Sequence, residues 1–352
     1  MDFQSLIKEV VATESPDLHL HVGQRPMMRL KNGSLSAMGS EALSEEALQK
    51  IIETITTKAQ QDKLKENAEI DFSYAVSGVA RFRVNVYREK NGPAMALRVI
   101  AGTIPEMANL GLSEVISSFT TLPHGLVLVT GPTGMGKSTT LASMIDHINQ
   151  TRECHIITIE DPIEYAYESK KALVTQREIN SHTSSFPQAV RSALREDPDV
   201  VLVGEMRDLE TIAATITLAE TGHLVFSTLH TSDAPQTVDR IIDVFPAYQQ
   251  QQIRTQLAGT LKGVISQTLV PRADGKGRVA AREILVVNDA VRNCIMHGET
   301  HQIYSLIQLG QADGMMLMDQ SLEQLVRAGL ITVDEALSKA NDLESLRERF
   351  KS

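Results

Sequence analysis

One stretch of eight residues limits the fold of this chain more than any other. Gly131-Pro132-Thr133-Gly134-Met135-Gly136-Lys137-Ser138 follows an unbroken apolar run at 126–129. It precedes a segment in which Leu141, Met144, Ile145 and Ile148 recur at helical spacing. The pattern G-x-x-x-x-G-K-[ST] between a strand and a helix is that of a phosphate-binding loop. Its glycines let successive backbone N–H groups curl around an anion, and the helix N-terminus adds its positive dipole end. The pattern assigns residues 131–138, with Thr139, to nucleotide binding, Lys137 to the β- and γ-phosphates and the Ser138 hydroxyl to Mg2+. A glycine-rich turn without a ligand is the plain alternative, and the flanking strand and helix speak against it. A nucleoside triphosphate with Mg2+ is therefore expected.

The apolar runs around the loop, at 126–129, 155–159, 200–203 and 224–229, lack polar alternation, as parallel strands covered on both faces do. Helical stripes lie between them. Phe186, Ala189, Val190, Ala193 and Leu194 form one; Leu209, Ile212, Ala213 and Ile216 form another. Strands alternating with helices predict an α/β sheet of right-handed βαβ units. A further strand is expected at 279–287, with helices after it.

Ahead of this sheet the chain reads as a small α/β module. Phe3, Leu6, Ile7 and Val10 mark one helix and Leu48, Ile51, Ile52 and Ile55 a second, followed by extended segments at 69–76, 79–88 and 94–100. In the middle segment Phe82, Val84 and Val86 alternate with Arg81, Arg83 and Asn85, so the arginines are expected on the face turned from the core. Gly102, Pro105 and Gly111 mark a linker. The expected organisation is a first domain at 1–100, a linker at 101–111, a core at 112–287 and a helical region at 288–352.

A length of 352 residues with 42% hydrophobic content leaves room for two cored domains and excludes disorder. The net charge of −10 argues against nucleic acid as a partner. Two cysteines, Cys154 and Cys294, exclude a disulfide scaffold and a four-cysteine zinc site, and they suit a reducing cytosol. The sequence offers neither a membrane-spanning run nor a basic flank before an apolar segment at its start, so no transmembrane segment or secretion signal is expected.

Hydrolysis requires a group that activates water. Glu205 follows the run 200–203 and Glu160 ends the run before it, which places two carboxylates at neighbouring strand ends, where ligands sit in such sheets. Facing the phosphate loop, they can divide the binding of hydrated Mg2+ and the removal of a proton from water. His223 and His230 bracket the run 224–229. His230 leaves at the Glu205 edge, where an imidazole either senses the γ-phosphate or serves structure alone, and the sequence leaves both open. His19 and His21, without an acidic or cysteine partner nearby, read as structural.

Four segments occur in order: Gly131 to Thr139; Ile159-Glu160-Asp161-Pro162-Ile163-Glu164-Tyr165; Leu202-Val203-Gly204-Glu205-Met206-Arg207-Asp208; and Thr221-Gly222-His223 through Leu229-His230-Thr231. Together they resemble the Walker A, Asp-box, Walker B and His-box motifs of the secretion-ATPase superfamily, and the whole chain resembles its PilT-type branch, the type IV pilus retraction ATPases. The resemblance implies a PAS-like N-terminal α/β domain and a RecA-like C-terminal ATPase domain with a helical end. It further implies a homohexameric motor that hydrolyses ATP with Mg2+ to power pilus retraction and twitching motility. The motor would be cytoplasmic, peripheral at the inner membrane, and would drive pilin disassembly through a platform protein there; a second retraction ATPase is a further candidate partner. By the same resemblance Glu205 acts in hydrolysis, Glu160 helps arrange Mg2+ and water, and Arg81, Arg83 and Arg98 reach towards bound phosphate. Ala290-Val291-Arg292-Asn293-Cys294-Ile295 is similar to the retraction motif AIRNLI, with Ala290, Val291, Cys294 and Ile295 expected on one helical face. Gly314-Met315-Met316-Leu317-Met318-Asp319 departs from the usual GMQTMD, and Met135 stands where serine is customary, at a position expected to contribute mainly backbone.

Three other readings compete. A pilus extension or secretion ATPase would carry a four-cysteine subdomain, for which two cysteines are too few. An accessory paralogue would bind nucleotide and modulate a true motor; Lys137, Glu160 and Glu205 argue against it. A small-molecule kinase would need an arginine-rich lid, which the sequence lacks.

Overall fold

In the computed structural model, which describes residues 2–30, 33–100 and 102–351, the chain divides into two compact units. One runs to Thr103 and takes in Asp161–Ala166; the other holds Ile104–Glu160 and the chain from Tyr167. Ala101, in the expected linker, lies outside the described residues, as do the end residues Met1 and Ser352 of the expected outer regions.

The first unit has α1 (Phe3–Ala12), α2 (Glu45–Ile55) and α3 (Lys58–Asn67) with β1 (Asp17–His21), β2 (Met27–Arg29), β3 (Leu35–Ala37), β4 (Glu69–Val76), β5 (Ala80–Glu89) and β6 (Gly92–Ile100). The strands form one antiparallel sheet in the order β3-β2-β1-β6-β5-β4. Leu6, Ile7 and Val10 of α1 and Leu48, Ile52 and Ile55 of α2 pack with Leu18, Leu20, Phe82, Val84 and Val86. The alternation read along β5 therefore holds: Phe82, Val84 and Val86 are buried and Arg83 is exposed. The helix α3 buries no residue, and a capping box between Thr57 and Gln60 secures its start.

The second unit is built on β7 (Gly125–Thr130), β8 (His155–Glu160), β9 (Leu173–Glu178), β10 (Val200–Val203), β11 (Leu224–Leu229), β12 (Leu261–Pro271) and β13 (Arg278–Val286), in the order β13-β12-β7-β11-β10-β8-β9. All neighbours are parallel except β12 and β13. Its helices are α4 (Glu114–Ser118), α5 (Lys137–Thr151), α6 (Phe186–Ala193), α7 (Leu209–Glu220), α8 (Ala234–Asp243), α9 (Ala247–Thr260), α10 (Asp289–His297), α11 (Ile303–Leu309), α12 (Met318–Arg327), α13 (Val333–Leu337) and α14 (Leu343–Arg349).

Burial explains the unbroken apolar runs. Leu126 and Leu128 face a core shared with α6 to α11, whereas Val127 and Val129 face Met144, Ile145 and Ile148 of α5 on the opposite side. Each such side chain removed from water contributes about 1.5–3 kcal/mol, so both faces favour apolar residues. Leu194, assigned to the stripe of α6, is instead 39% exposed, because the helix ends at Ala193 and Leu194 is its cap.

Candidate nucleotide site

The chain leaves buried β7 at Gly131, whose φ of +137° lies outside the range of other residues; a Cβ there would stand 2.3 Å from the Gln267 carbonyl oxygen of β12. Gly136 caps α5 in the left-handed region, with a Cβ position 3.0 Å from Gln267 Nε2. The loop is thus pressed against β12, and only glycine permits that approach. Lys137, the first residue of α5, is buried and donates from Nζ to Gly131 O at 2.6 Å and Pro132 O at 3.1 Å. A buried ammonium beside the N-terminus of a fifteen-residue helix makes a strong anion site.

Met135 keeps the expected backbone role and adds a contact through its side chain. Its carbonyl accepts from Gln267 Nε2 at 2.6 Å, and its sulfur lies 3.2 Å from the amide nitrogen of Leu269. Both ends of the residue therefore tie the loop to β12.

Parallel register brings the catalytic candidates together. Val203 of β10 pairs with Ile159 of β8 and with Ser227 of β11, so all three strands end at one edge. Glu160, the last residue of β8, is buried and accepts from Thr158 Oγ1 at 2.7 Å and Gln176 Nε2 at 3.3 Å. The turn after β10 is held by Gly204 N donating to Ile159 O and Thr228 Oγ1 donating to Gly204 O, at 2.8 and 2.7 Å. Glu205 emerges from this turn with Oε1 at 2.8 Å from His230 Nε2 and 2.6 Å from Arg207 Nε. The other nitrogen of His230, Nδ1, lies 3.4 Å from the Thr133 hydroxyl in the phosphate loop. Nε2 donates to the carboxylate, and Nδ1 meets the Thr133 hydroxyl. One imidazole thereby connects the strand-end carboxylate to the loop, which distinguishes it from His223. His223 lies at the other end of β11, with Nδ1 against Leu218 O and the Thr221 hydroxyl.

The arginines lie on the first unit's sheet. Arg83 and Arg98 are register partners across β5 and β6, and each is held by an acceptor on its own sheet. Arg83 Nε donates to Asp71 Oδ2 at 2.9 Å, Arg98 Nε to Asp17 Oδ1 at 2.7 Å and Arg81 Nη2 to Ser73 Oγ at 2.7 Å. The hydrogen bond to Asp71 raises the Arg83 pKa further above its ordinary value. Asp71 and Ser73 were readable from the alternation of β4, which puts them on the arginine face; Asp17 was not, because β1 is distant in sequence. His19 and His21 do have acidic neighbours, contrary to expectation. Asp17 acts on His19, whose pKa burial lowers, and Glu89 lies 4.0 Å from His21.

In α10 the expected face is corrected at one position. Val291, Cys294 and Ile295 are buried, but Ala290 is exposed in the first turn on the same side as Asn293. Arg292, partly exposed, pairs with Asp289. In the variant segment 314–319, Met316 exchanges backbone bonds with Ile284 of β13, so the substituted side chains leave the pairing intact. Polar residues of β12 and β13 escaped the sequence reading altogether. Gln267 and Arg282 lie behind the loop. Glu283, whose carboxyl burial pushes up to about 7, accepts from Ala234 N at the start of α8.

Residues 2–338 match the family model described as type II/IV secretion system protein. The chain is 50% identical over 321 residues to a twitching motility protein of Neisseria gonorrhoeae, covering 91% of this chain and 86% of that one. It is 48% identical over 340 residues to the type IV pilus retraction ATPase PilT of Pseudomonas aeruginosa, covering 97% and 98%. A crystal structure of the pilus retraction motor PilT with bound ADP superimposes with a TM-score of 0.92 at 45% identity, covering 99% of each chain. That likeness bears out the expected fold class, a PAS-like α/β domain followed by a RecA-like domain with a helical end.

Proposed function

The chain belongs to the type II/IV secretion system protein family, and from that premise we propose that it is an ATP-hydrolysing hexameric motor that retracts type IV pili. The observation that carries the mechanism is the connection Thr133–His230–Glu205, which joins the phosphate loop to a carboxylate at a strand end.

Phosphates of ATP seat on the backbone N–H groups of 133–136 and on the N-terminus of α5, and Lys137 Nζ exchanges its carbonyl partners for phosphate oxygens. The Ser138 hydroxyl, with Glu160 and Glu205 acting through water, offers the all-oxygen donor set that suits Mg2+, which when bound neutralises phosphate charge. Glu205 takes the proton of the attacking water, and His230 holds that carboxylate at the orientation set by Thr133. Arg81, Arg83 and Arg98 serve as cationic contacts for phosphate, exchanging their acceptors on the first unit's sheet for it. Arg292 and Asn293 of α10 meet an inner-membrane platform protein through which pilin is removed. Among the described residues no helix is long and apolar enough to cross a membrane, so attachment to the inner membrane rests on that partner.

The test is complementation. In a strain lacking its own retraction motor, this chain restores pilus shortening and twitching, Glu205→Ala restores neither, and Arg292→Ala with Asn293→Ala keeps ATPase activity without retraction. Rescue that needs a second retraction ATPase would make it an accessory paralogue. Restored assembly in a strain lacking the extension motor would make it an extension ATPase.

A further inference from the structure

A buried arginine carries a desolvation cost that a carboxylate partner usually offsets. Arg282 of β13 is 6% exposed, yet its guanidinium donates only to neutral oxygens among the described residues. Nε donates to Gln267 Oε1 at 3.0 Å, Nη2 to Leu110 O at 2.9 Å and Nη1 to Gly111 O at 3.3 Å. Burial lowers its pKa to about 10, which leaves it charged at neutral pH. An aliphatic side chain would fill the same space without that cost, so packing alone does not account for an arginine here.

What Arg282 joins is specific. Its register partner Gln267 faces it directly across β12 and β13. The same Gln267 oxygen accepts from Thr140 Oγ1 of α5 at 2.9 Å, and the amide nitrogen donates to Met135 O of the phosphate loop at 2.6 Å. At the other end, Leu110 and Gly111 close the segment expected to link the domains. A continuous hydrogen-bonded path thus runs from the loop, through one amide and one guanidinium, to two carbonyls of that segment.

We propose that Gln267 and Arg282 relay the state of the phosphate loop to the backbone at Leu110–Gly111, with Arg282 as a positioning residue. The proposal rests on the reading of the chain as an ATP-driven motor. When phosphate draws the loop amides towards itself, the Met135 carbonyl shifts against Gln267 Nε2. The amide is a rigid plane, so its oxygen moves in turn. The planar guanidinium, fixed at both ends by directional bonds, passes that displacement to the two carbonyls; a lysine ammonium would carry charge without direction.

The experiment is hydrogen–deuterium exchange at the amides of residues 108–113 in the full chain, with ADP and with a non-hydrolysable ATP analogue, beside titration of fluorescent ADP. The wild-type protein is expected to show an exchange difference between the two nucleotides. In Arg282→Met that difference is expected to vanish while ADP affinity stays within about three-fold and kcat falls about ten-fold at little-changed KM. Gln267→Met, which spares the arginine and cuts its link to the loop, is expected to lose the difference too, and it serves if Arg282→Met does not fold. A wild-type difference that persists in the foldable variants overturns the relay. Wild-type amides that ignore nucleotide identity overturn the relay alone; a wild-type chain that does not hydrolyse ATP in the same samples overturns the motor reading and the relay with it.

Discussion

The edge of the second unit's sheet and the arginine face of the first are both rich in charge, but they are organised in opposite ways. At the strand ends the candidates are fixed by short bonds, some local and some between elements: Glu205 by His230 and Arg207, the loop by Gln267, Lys137 by the loop's own carbonyls. On the arginine face Arg83 and Arg98 are paired with carboxylates of the same sheet, and their side chains are 45% and 70% exposed. Exposed pairs of this kind are worth little and exchange readily. The carboxylate edge is held by bonds to the phosphate loop and its own turn, whereas the arginines are held by exposed pairs, which on the proposed reading phosphate replaces.

The largest effect expected is at the loop. Gly131→Ala places a methyl group against the Gln267 carbonyl in a backbone conformation alanine rejects, so nucleotide affinity should fall about a hundred-fold or more. Nucleotide titration of the folded variant checks this, and near-normal affinity would break the picture of a loop moulded onto β12. Next comes His230→Ala, which frees Glu205 from Thr133. Here kcat should drop roughly ten- to a hundred-fold with little change in affinity, and an equal rise in KM would make the histidine a binding group.

A smaller pair of effects tests the arginine face by sign. Arg83→Ala and Arg98→Ala should weaken nucleotide binding by roughly five- to ten-fold, whereas Asp71→Asn and Asp17→Asn, which release those arginines, should strengthen it by a few-fold. Effects of the same sign would mean that the pairs only stabilise the sheet. The smallest effect concerns Glu283. Its folded pKa of about 7 exceeds the ordinary 4.5, so the folded state holds the proton more tightly than the unfolded chain. Its contribution is therefore present in full below pH 4.5 and is lost as pH rises to about 7, at no more than about 1.4 kcal/mol per pH unit. Chemical denaturation across that window should show the slope in the wild type and a flatter one in Glu283→Gln.

Sequence reading recovered what periodicity and spacing encode. The strands at 200–203 and 224–229 are legible because burial on both faces opens each with at least three apolar residues in a row, before Ser227 and Thr228 close the second. The loop and Glu205 are legible because each sits at a fixed offset from such a strand. By contrast β12 was missed, since Ser266 and Gln267 interrupt its apolar run; both are buried polar residues satisfied by partners from other elements. Arg282 escaped for the same reason: its partners Gln267 and Leu110–Gly111 are brought to it by the fold. The misplaced Ala290 shows a different failure, in which a helical face was extended into a first turn whose side chain meets solvent.

The most direct test of the account is the Mg-ATPase rate of Glu205→Gln beside the wild type over a concentration series, with mass by light scattering and nucleotide binding on the same samples. The account predicts wild-type activity that rises with a hexamer-sized species, and a variant that forms the same species and binds nucleotide but turns over about a hundred- to a thousand-fold more slowly. A variant that hydrolyses ATP at the wild-type rate would contradict it.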